Sequence, residues 1–296
     1  MFGENVKVHF AGVDGWEIFH AAARAADVRY ALYSCYRFII NKTIDDDLTL
    51  PIDHTIRVQD REFKHVIQDS GLFTLMFGKM KGVKQTRQSL EEWQDKLIKF
   101  VVQNNLNATC VEVDCQKVLG VEEAWYFRYR MREKLKNRQI NVFHFEDGKK
   151  GLDRLIEFSD YLAISVPEMR ILKPGTFKRD TRELVHYIKS RKPEIDIHLL
   201  GCTDFGMLRD NRHVTSADST SWLQGVKYGS ISDGKKKAHV DEFSPALFQE
   251  RQEMIKVLLA GRGLEFNPKM LRYTTNASIS ATICKQRYEV NAGSQE

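Results

Sequence analysis

Short apolar runs alternate with amphipathic stretches along most of this chain. Val6-Lys7-Val8-His9-Phe10-Ala11 predicts a first strand, which turns at Gly12-Val13-Asp14-Gly15. The alanine-rich residues 16–26 then predict a helix, and residues 28–34, rich in Val, Tyr and Leu, a second strand. Residues 35–63 carry an acidic turn, Asp45-Asp46-Asp47, and Pro51 but no regular period, and read as a long crossover. The third strand ends in His65-Val66-Ile67-Gln68-Asp69-Ser70-Gly71, an apolar run stopped by an acid, a hydroxyl and a glycine. Residues 86–103 predict a helix, with Ser89 and Glu92 spaced like a capping box and Trp93, Leu97, Phe100 and Val101 on one face.

The same alternation continues through the second half. Strands are predicted over 109–114, 140–145, 161–165 and 195–200, and more weakly over 213–217. Helices are predicted over 121–136, 152–158 and 176–190, with a short one over 203–208. A doubly wound open sheet fits this pattern as well as a barrel does. Eight strands in a chain of 296 residues favour a (β/α)8 barrel over residues 1–243. Residues 244–296 are expected to form a short C-terminal helical extension packed on it, with a helix over 244–259.

Composition narrows the class. With 42% hydrophobic and 29% charged residues the chain can bury a full core. No apolar run approaches the roughly 18 residues that span a bilayer, and the N-terminus lacks a basic region followed by an apolar one. No membrane association is expected, and a soluble, cytoplasmic protein is. The five cysteines (Cys35, Cys110, Cys115, Cys202, Cys284) form no CxxC pair and read as free thiols, with Cys115 notable beside Asp114. A net charge of +5 permits a polyanionic partner. Its clustering says more: Lys79, Lys81, Lys84 and Arg87 follow the third strand, and Lys235, Lys236 and Lys237 follow a later glycine-containing stretch. These are either solvated loops or phosphate contacts.

In a barrel, catalytic groups sit where strands end. The predicted ends carry Asp69, Asp114, His144 with Glu146, Ser165, Gly201-Cys202-Thr203 and Asp218. Asp-Ser-Gly is also ordinary turn chemistry, and Asp114 and Asp218 each stand where a helix cap would. Paired carboxylates in one cleft suit chemistry at a glycosidic carbon, and equally a divalent metal.

The ordered set Gln68-Asp69-Ser70-Gly71-Leu72-Phe73, Val113-Asp114-Cys115, Ala163-Ile164-Ser165-Val166, His198-Leu199-Leu200-Gly201 and Ala217-Asp218-Ser219 resembles the guanine transglycosylases. These are (β/α)8 enzymes that exchange a guanine in a nucleic acid for a 7-deazaguanine. The likeness spans roughly residues 6–230, and Asp218-Ser219-Thr220-Ser221-Trp222 looks most like the phage and bacterial DNA-modifying branch. The resemblance implies Asp218 as the nucleophile that attacks C1′, and Asp69 as the acid/base that protonates the departing guanine. It implies Asp114 as the acceptor for the purine's donor edge. Ser70, Gly71 and Phe73, His144 or Glu146, and Ser165-Val166 are implied to line the base site. No cofactor and no essential metal are implied, and a phage-borne enzyme would work in the host cytoplasm.

Departures from the family pattern bear on the substrate. Leu72 replaces the second glycine of the usual DSGGFQ, and the Pro-Thr-Arg run of the tRNA enzymes after the nucleophile is here Thr220-Ser221-Trp222. Only Cys284 follows Asp218, so the CxCxxC zinc site of the tRNA enzymes is missing. DNA is therefore the expected substrate, with tRNA as the alternative. Such chemistry needs the base flipped out of the stack, and Trp222, Phe73 and Tyr228 are candidates to hold it or fill its gap. Each also fits plain core or rim packing. Two readings from other classes stay open: a metal-dependent barrel hydrolase using Asp69, Asp114 and His144, and a non-catalytic nucleic-acid-binding subunit.

Overall fold

Alternating apolar positions fold into eight parallel strands that close on themselves in chain order: β1 (Lys7–Ala11), β2 (Tyr30–Ser34), β3 (His65–Asp69), β4 (Thr109–Val111), β5 (Gln139–Phe143), β6 (Tyr161–Ser165), β7 (Asp196–Leu200) and β8 (Ser216–Ser219). The structure is a computed structural model that describes residues 6–15, 17–50, 63–77, 84–202, 204–223, 230–232 and 237–239. Helices alternate with the strands. They are α1 (Glu17–Ala25), α2 (Tyr36–Ile39), α3 (Leu72–Phe77), α4 (Arg87–Gln103), α5 (Gln116–Leu119) and α6 (Val121–Lys134), then α7 (Gly148–Phe158), α8 (Val166–Leu172), α9 (Phe177–Arg191) and α10 (Phe205–Asp210). The fold is a (β/α)8 barrel, as the strand count predicted. A separate antiparallel pair joins β9 (Ser230–Ser232) to β10 (Lys237–His239). The expected extension over 244–296 lies outside the described residues, as do Lys79, Lys81, Lys235, Lys236, Tyr228 and Cys284.

Side chains alternate across each strand, so one set fills the barrel and the other meets the helices. Ala11, Leu32, Ile67, Val111, Ile140, Val142, Tyr161 and Ala163 form the inner cluster. Outward residues pack beneath the helices in two larger clusters, one around Trp93, Phe100 and Phe127, the other around Leu155, Met169 and Ile188. Among the described residues no helix is long and apolar enough to cross a membrane.

Of the departures from the expected boundaries, three have a clear local reason. β4 ends at Val111 rather than Asp114. There the buried Glu112 carboxylate draws the Val142 N–H of β5 (3.0 Å) away from the backbone ladder, and also takes two nitrogens of Arg128 (2.9–3.1 Å) and the Asn141 amide (2.7 Å). β8 starts at Ser216, not at 213, because a turn bond from Val214 N–H to the Asn211 carbonyl occupies the preceding residues. Asp218 is thus the third residue of the strand and pairs in register with His9 of β1. The capping box of α4 is built one turn earlier than expected, with Thr86 as the cap and Ser89 reaching back to it.

Candidate active site

The C-terminal end of the barrel gathers four aspartates, one from each of the loops or ends of β1, β3, β4 and β8. Asp69 closes β3. Its Oδ2 accepts the Gly71 N–H at 2.8 Å across a tight turn. Gly71 makes that turn with φ +71°, and a Cβ there would meet Tyr36 at 2.9 Å, so only glycine fits. Leu72 does not occupy a glycine-like position at all: it opens α3 and is buried. Ser70 is buried too, its carbonyl accepting the Trp93 indole N–H at 2.8 Å and the Cys35 thiol at 3.0 Å. Burial pushes the Asp69 carboxyl up to about 6, against the Gly71 hydrogen bond, and the charges of Asp218, Asp14 and Asp114 push the same way. All four carboxyls lie at or just beyond the C-terminal ends of parallel strands, and so at one mouth of the barrel.

Asp218 has the opposite surroundings. Its Oδ1 accepts the Gly201 N–H at 2.7 Å and faces His198 Nε2 at 3.3 Å. Gly201 adopts φ +61° at the end of β7, which aims its N–H into the mouth, and a Cβ there would strike Pro167 at 2.9 Å.

Asp14 went unrecognised in the sequence, because Gly12-Val13-Asp14-Gly15 looks like any turn. Its carboxyl is buried behind β1, accepts the Ser34 N–H at 3.3 Å, and is raised by that burial to about 6. Its position directly after the first strand was the available signal.

The other half of the mouth is ionic. His144, just past β5, is buried and carries a carboxylate on each ring nitrogen: Asp114 Oδ1 at 2.7 Å on Nε2 and Glu168 Oε2 at 2.9 Å on Nδ1. Burial alone would favour the neutral ring, but these two hydrogen bonds and charges outweigh it and raise His144 to about 10. Lys117 continues the chain, meeting Glu168 Oε1 at 2.9 Å and pairing with Glu146. Glu146 lies on the 3-10 turn Phe145–Asp147, where the buried Gln116 amide also reaches it at 3.3 Å. Glu168 was missed in the sequence. Ser165-Val166-Pro167-Glu168 is a helix-start signature, and Ser165 does cap α8 by accepting the Glu168 N–H at 3.3 Å.

Several predicted site residues sit elsewhere or are already engaged. Trp222 is a correction: it is 1% exposed, packs on Phe10 and Phe19, and donates its indole N–H to the Ala11 carbonyl at 2.9 Å, so it cannot meet a nucleic acid. The Val166 side chain is fully buried in the cluster behind the barrel wall, which leaves only its backbone to line the base site. Arg87 is exposed, but its guanidinium reaches Glu91 and Glu123 and stacks 3.9 Å above the Tyr126 ring. Lys84 is exposed, and of Lys237 the backbone is described, in β10. Phe73, 74% exposed on α3, is the aromatic that does face outward next to Asp69. The Cys115 thiol is buried and driven up to about 12, first by burial and then by Glu112 and Asp114, which makes it a poor nucleophile. Cys35, Cys110, Cys115 and Cys202 are all free thiols, as expected.

Among the described residues no group of three or more His, Cys, Asp and Glu is arranged to hold a metal ion. Both nitrogens of His144, a ligand in the hydrolase reading, are taken by carboxylates. A cleft of about 490 Å3 opens at the opposite end of the barrel, lined by Lys64, Asn105, Lys136 and Arg138 among others. Lys136 and Arg138 follow the end of α6, where a cation offsets the negative end of the helix dipole. What the mouth can do chemically is hold a carboxyl on β8, met by two nitrogens, opposite a raised acid on β3. No protein-family model matches the chain, and no curated protein matches it.

Proposed function

We propose that this protein is a transglycosylase that exchanges guanine in DNA for a 7-deazaguanine through a covalent aspartyl intermediate. The observation that carries this reading is the contrast between two carboxyls at one barrel mouth. Asp218 is met by two nitrogens, as an anion requires, while Asp69 is raised to about 6 and so carries a proton for part of the time near neutral pH.

The steps follow from those roles. An Asp218 oxygen attacks C1′ of the target nucleoside while the C1′–N9 bond breaks, and the departing guanine takes the proton of Asp69. The incoming base returns a proton to the Asp69 carboxylate as its N9 attacks C1′, and the bond to Asp218 breaks. Net, one base replaces another and neither aspartate is changed. Asp114 is 31% exposed, and it would accept hydrogen bonds from the N–H edge of the purine, which selects guanine-like rings over adenine. The missing zinc-site cysteines noted above favour DNA over tRNA. The test is mass spectrometry of nucleosides after incubation with isotopically labelled guanine or candidate deazaguanines, using duplex DNA and bulk tRNA in parallel. Label in DNA alone is expected; label in neither nucleic acid removes the reading, and label in tRNA alone transfers it to the alternative substrate.

A further inference from the structure

Behind Asp218 runs a line of polar side chains that the base-exchange reading does not use. His198, Ser216 and Tyr161 are all buried inside the barrel. Ser216 Oγ contacts both His198 Nδ1 and the Tyr161 hydroxyl, and His198 Nε2 faces Asp218 Oδ1 at 3.3 Å. Burying three polar groups costs free energy unless each finds a partner, and here each does.

Donors and acceptors can be assigned from one end. A carboxylate only accepts, so His198 must present its proton on Nε2. In the neutral ring Nδ1 then accepts, which makes Ser216 the donor to it and Tyr161 the donor to Ser216. Tyr161 suits the last place: burial raises its phenol to about 12, so it keeps its proton throughout the neutral range. A second buried line, Thr109 to His65 Nε2 (2.8 Å) and His65 Nδ1 to His9 Nε2 (2.8 Å), runs beside it without joining it, as the His9 and His198 rings stand 6.1 Å apart with no hydrogen bond between them.

We infer that His198 is a positioning residue for Asp218, locked as the Nε2–H tautomer by the Tyr161–Ser216 pair. Together with the Gly201 N–H it occupies Oδ1, leaving Oδ2 without a hydrogen bond among the described residues and facing the mouth as the attacking oxygen. The inference rests on the transglycosylase reading for what Oδ2 attacks, but the tautomer and its coupling to Asp218 stand or fall without it.

Two measurements on the full chain separate these. In the first, 15N NMR of histidine-labelled protein reads the ring nitrogens. A protonated Nε2 and bare Nδ1 on His198 are expected, with Asp218→Asn shifting the Nε2 signal and Ser216→Ala shifting Nδ1. A proton on Nδ1 in the neutral ring, or a His198 signal indifferent to Asp218→Asn, overturns the inference. In the second, base exchange is followed in His198→Phe and in Tyr161→Phe, which removes a single hydroxyl should the larger change prevent folding. A kcat lowered roughly 10- to 100-fold in His198→Phe, and less in Tyr161→Phe, with KM within about twofold, is expected of a lost charge-assisted hydrogen bond. Unchanged kcat in both folded variants, or an effect confined to KM, overturns it. If the wild type exchanges no base, the proposed function fails, while the NMR result still decides the tautomer.

Discussion

The two halves of the barrel mouth treat their charges in opposite ways. On the β5–β6 side every charge has a fixed partner: Asp114 and Glu168 clamp His144, and Lys117 ties Glu168 to Glu146. On the β1–β3–β8 side acids face acids, and Asp14 and Asp69 are both raised to about 6. A paired charge is a rigid recognition element, because moving it breaks two bonds at once. An unpaired, raised carboxyl is a proton reservoir. One mouth therefore divides into a side of fixed ion pairs and a side of raised carboxyls, a division that suits the proposed exchange of one purine for another.

The contrast can be broken first at its reactive edge. Asp218→Asn keeps an acceptor for Gly201 and His198 but removes the nucleophile, and a fall of about 10,000-fold or more in base exchange is expected with thermal stability little changed. Normal label incorporation by this variant would sink the covalent mechanism. Beneath the paired side, Arg128 is 2% exposed and bidentate on Glu112. Arg128→Met strands that carboxylate in the core and should cost about 3–5 kcal/mol, read from the urea midpoint at constant slope.

His144→Gln tests whether the clamp recognises the base. Losing its charge-assisted bonds, worth about 1.5–3 kcal/mol, should raise KM for the incoming base roughly 10- to 100-fold with a smaller change in kcat. The wild-type clamp also has a pH signature. A histidine raised from 6.5 to about 10 contributes stability that is complete below pH 6.5 and lost as pH climbs through about 10, a limb the variant should lack. The smallest effect is on the acidic side. Asp69 binds its proton more tightly folded than unfolded, so it favours folding below about pH 4, and that contribution fades as pH rises through about 6. Asp69→Asn should consequently be more stable than wild type by about 1–2 kcal/mol at pH 8, with the gap closing towards pH 4, while base exchange is lost. Equal stability at both pH values would mean that the acidic side is not the reservoir described.

The acidic side was easier to read from sequence than the paired one. On the acidic side His65–Asp69 is a short, largely buried run ending in an acid, so its strand and tip were legible as such. Asp218 was found although its strand was placed too early, because identifying a polar residue after an apolar one does not require the register. The clamp was not legible: Glu168 reaches His144 from α8 and Lys117 reaches Glu168 from α5, and nothing local to any of them encodes the meeting. Trp222 failed for a different reason. An aromatic residue looks the same in sequence whether it caps a site or plugs the seam between β1 and α1, and only the Ala11 contact tells them apart.

The β1–β8 seam has a consequence in time. The barrel closes only when Lys7–Phe10 meet Ser216–Ser219, the opposite ends of the described barrel. Pairings so distant in sequence pay their loop-closure entropy late, so β8 is expected to dock after its neighbours have formed. Asp218 rides on that last strand. A partly folded chain would hold Asp69 and Asp114 without Asp218 in place, so under the proposed mechanism reactivity towards nucleic acid arrives only with completion of the fold.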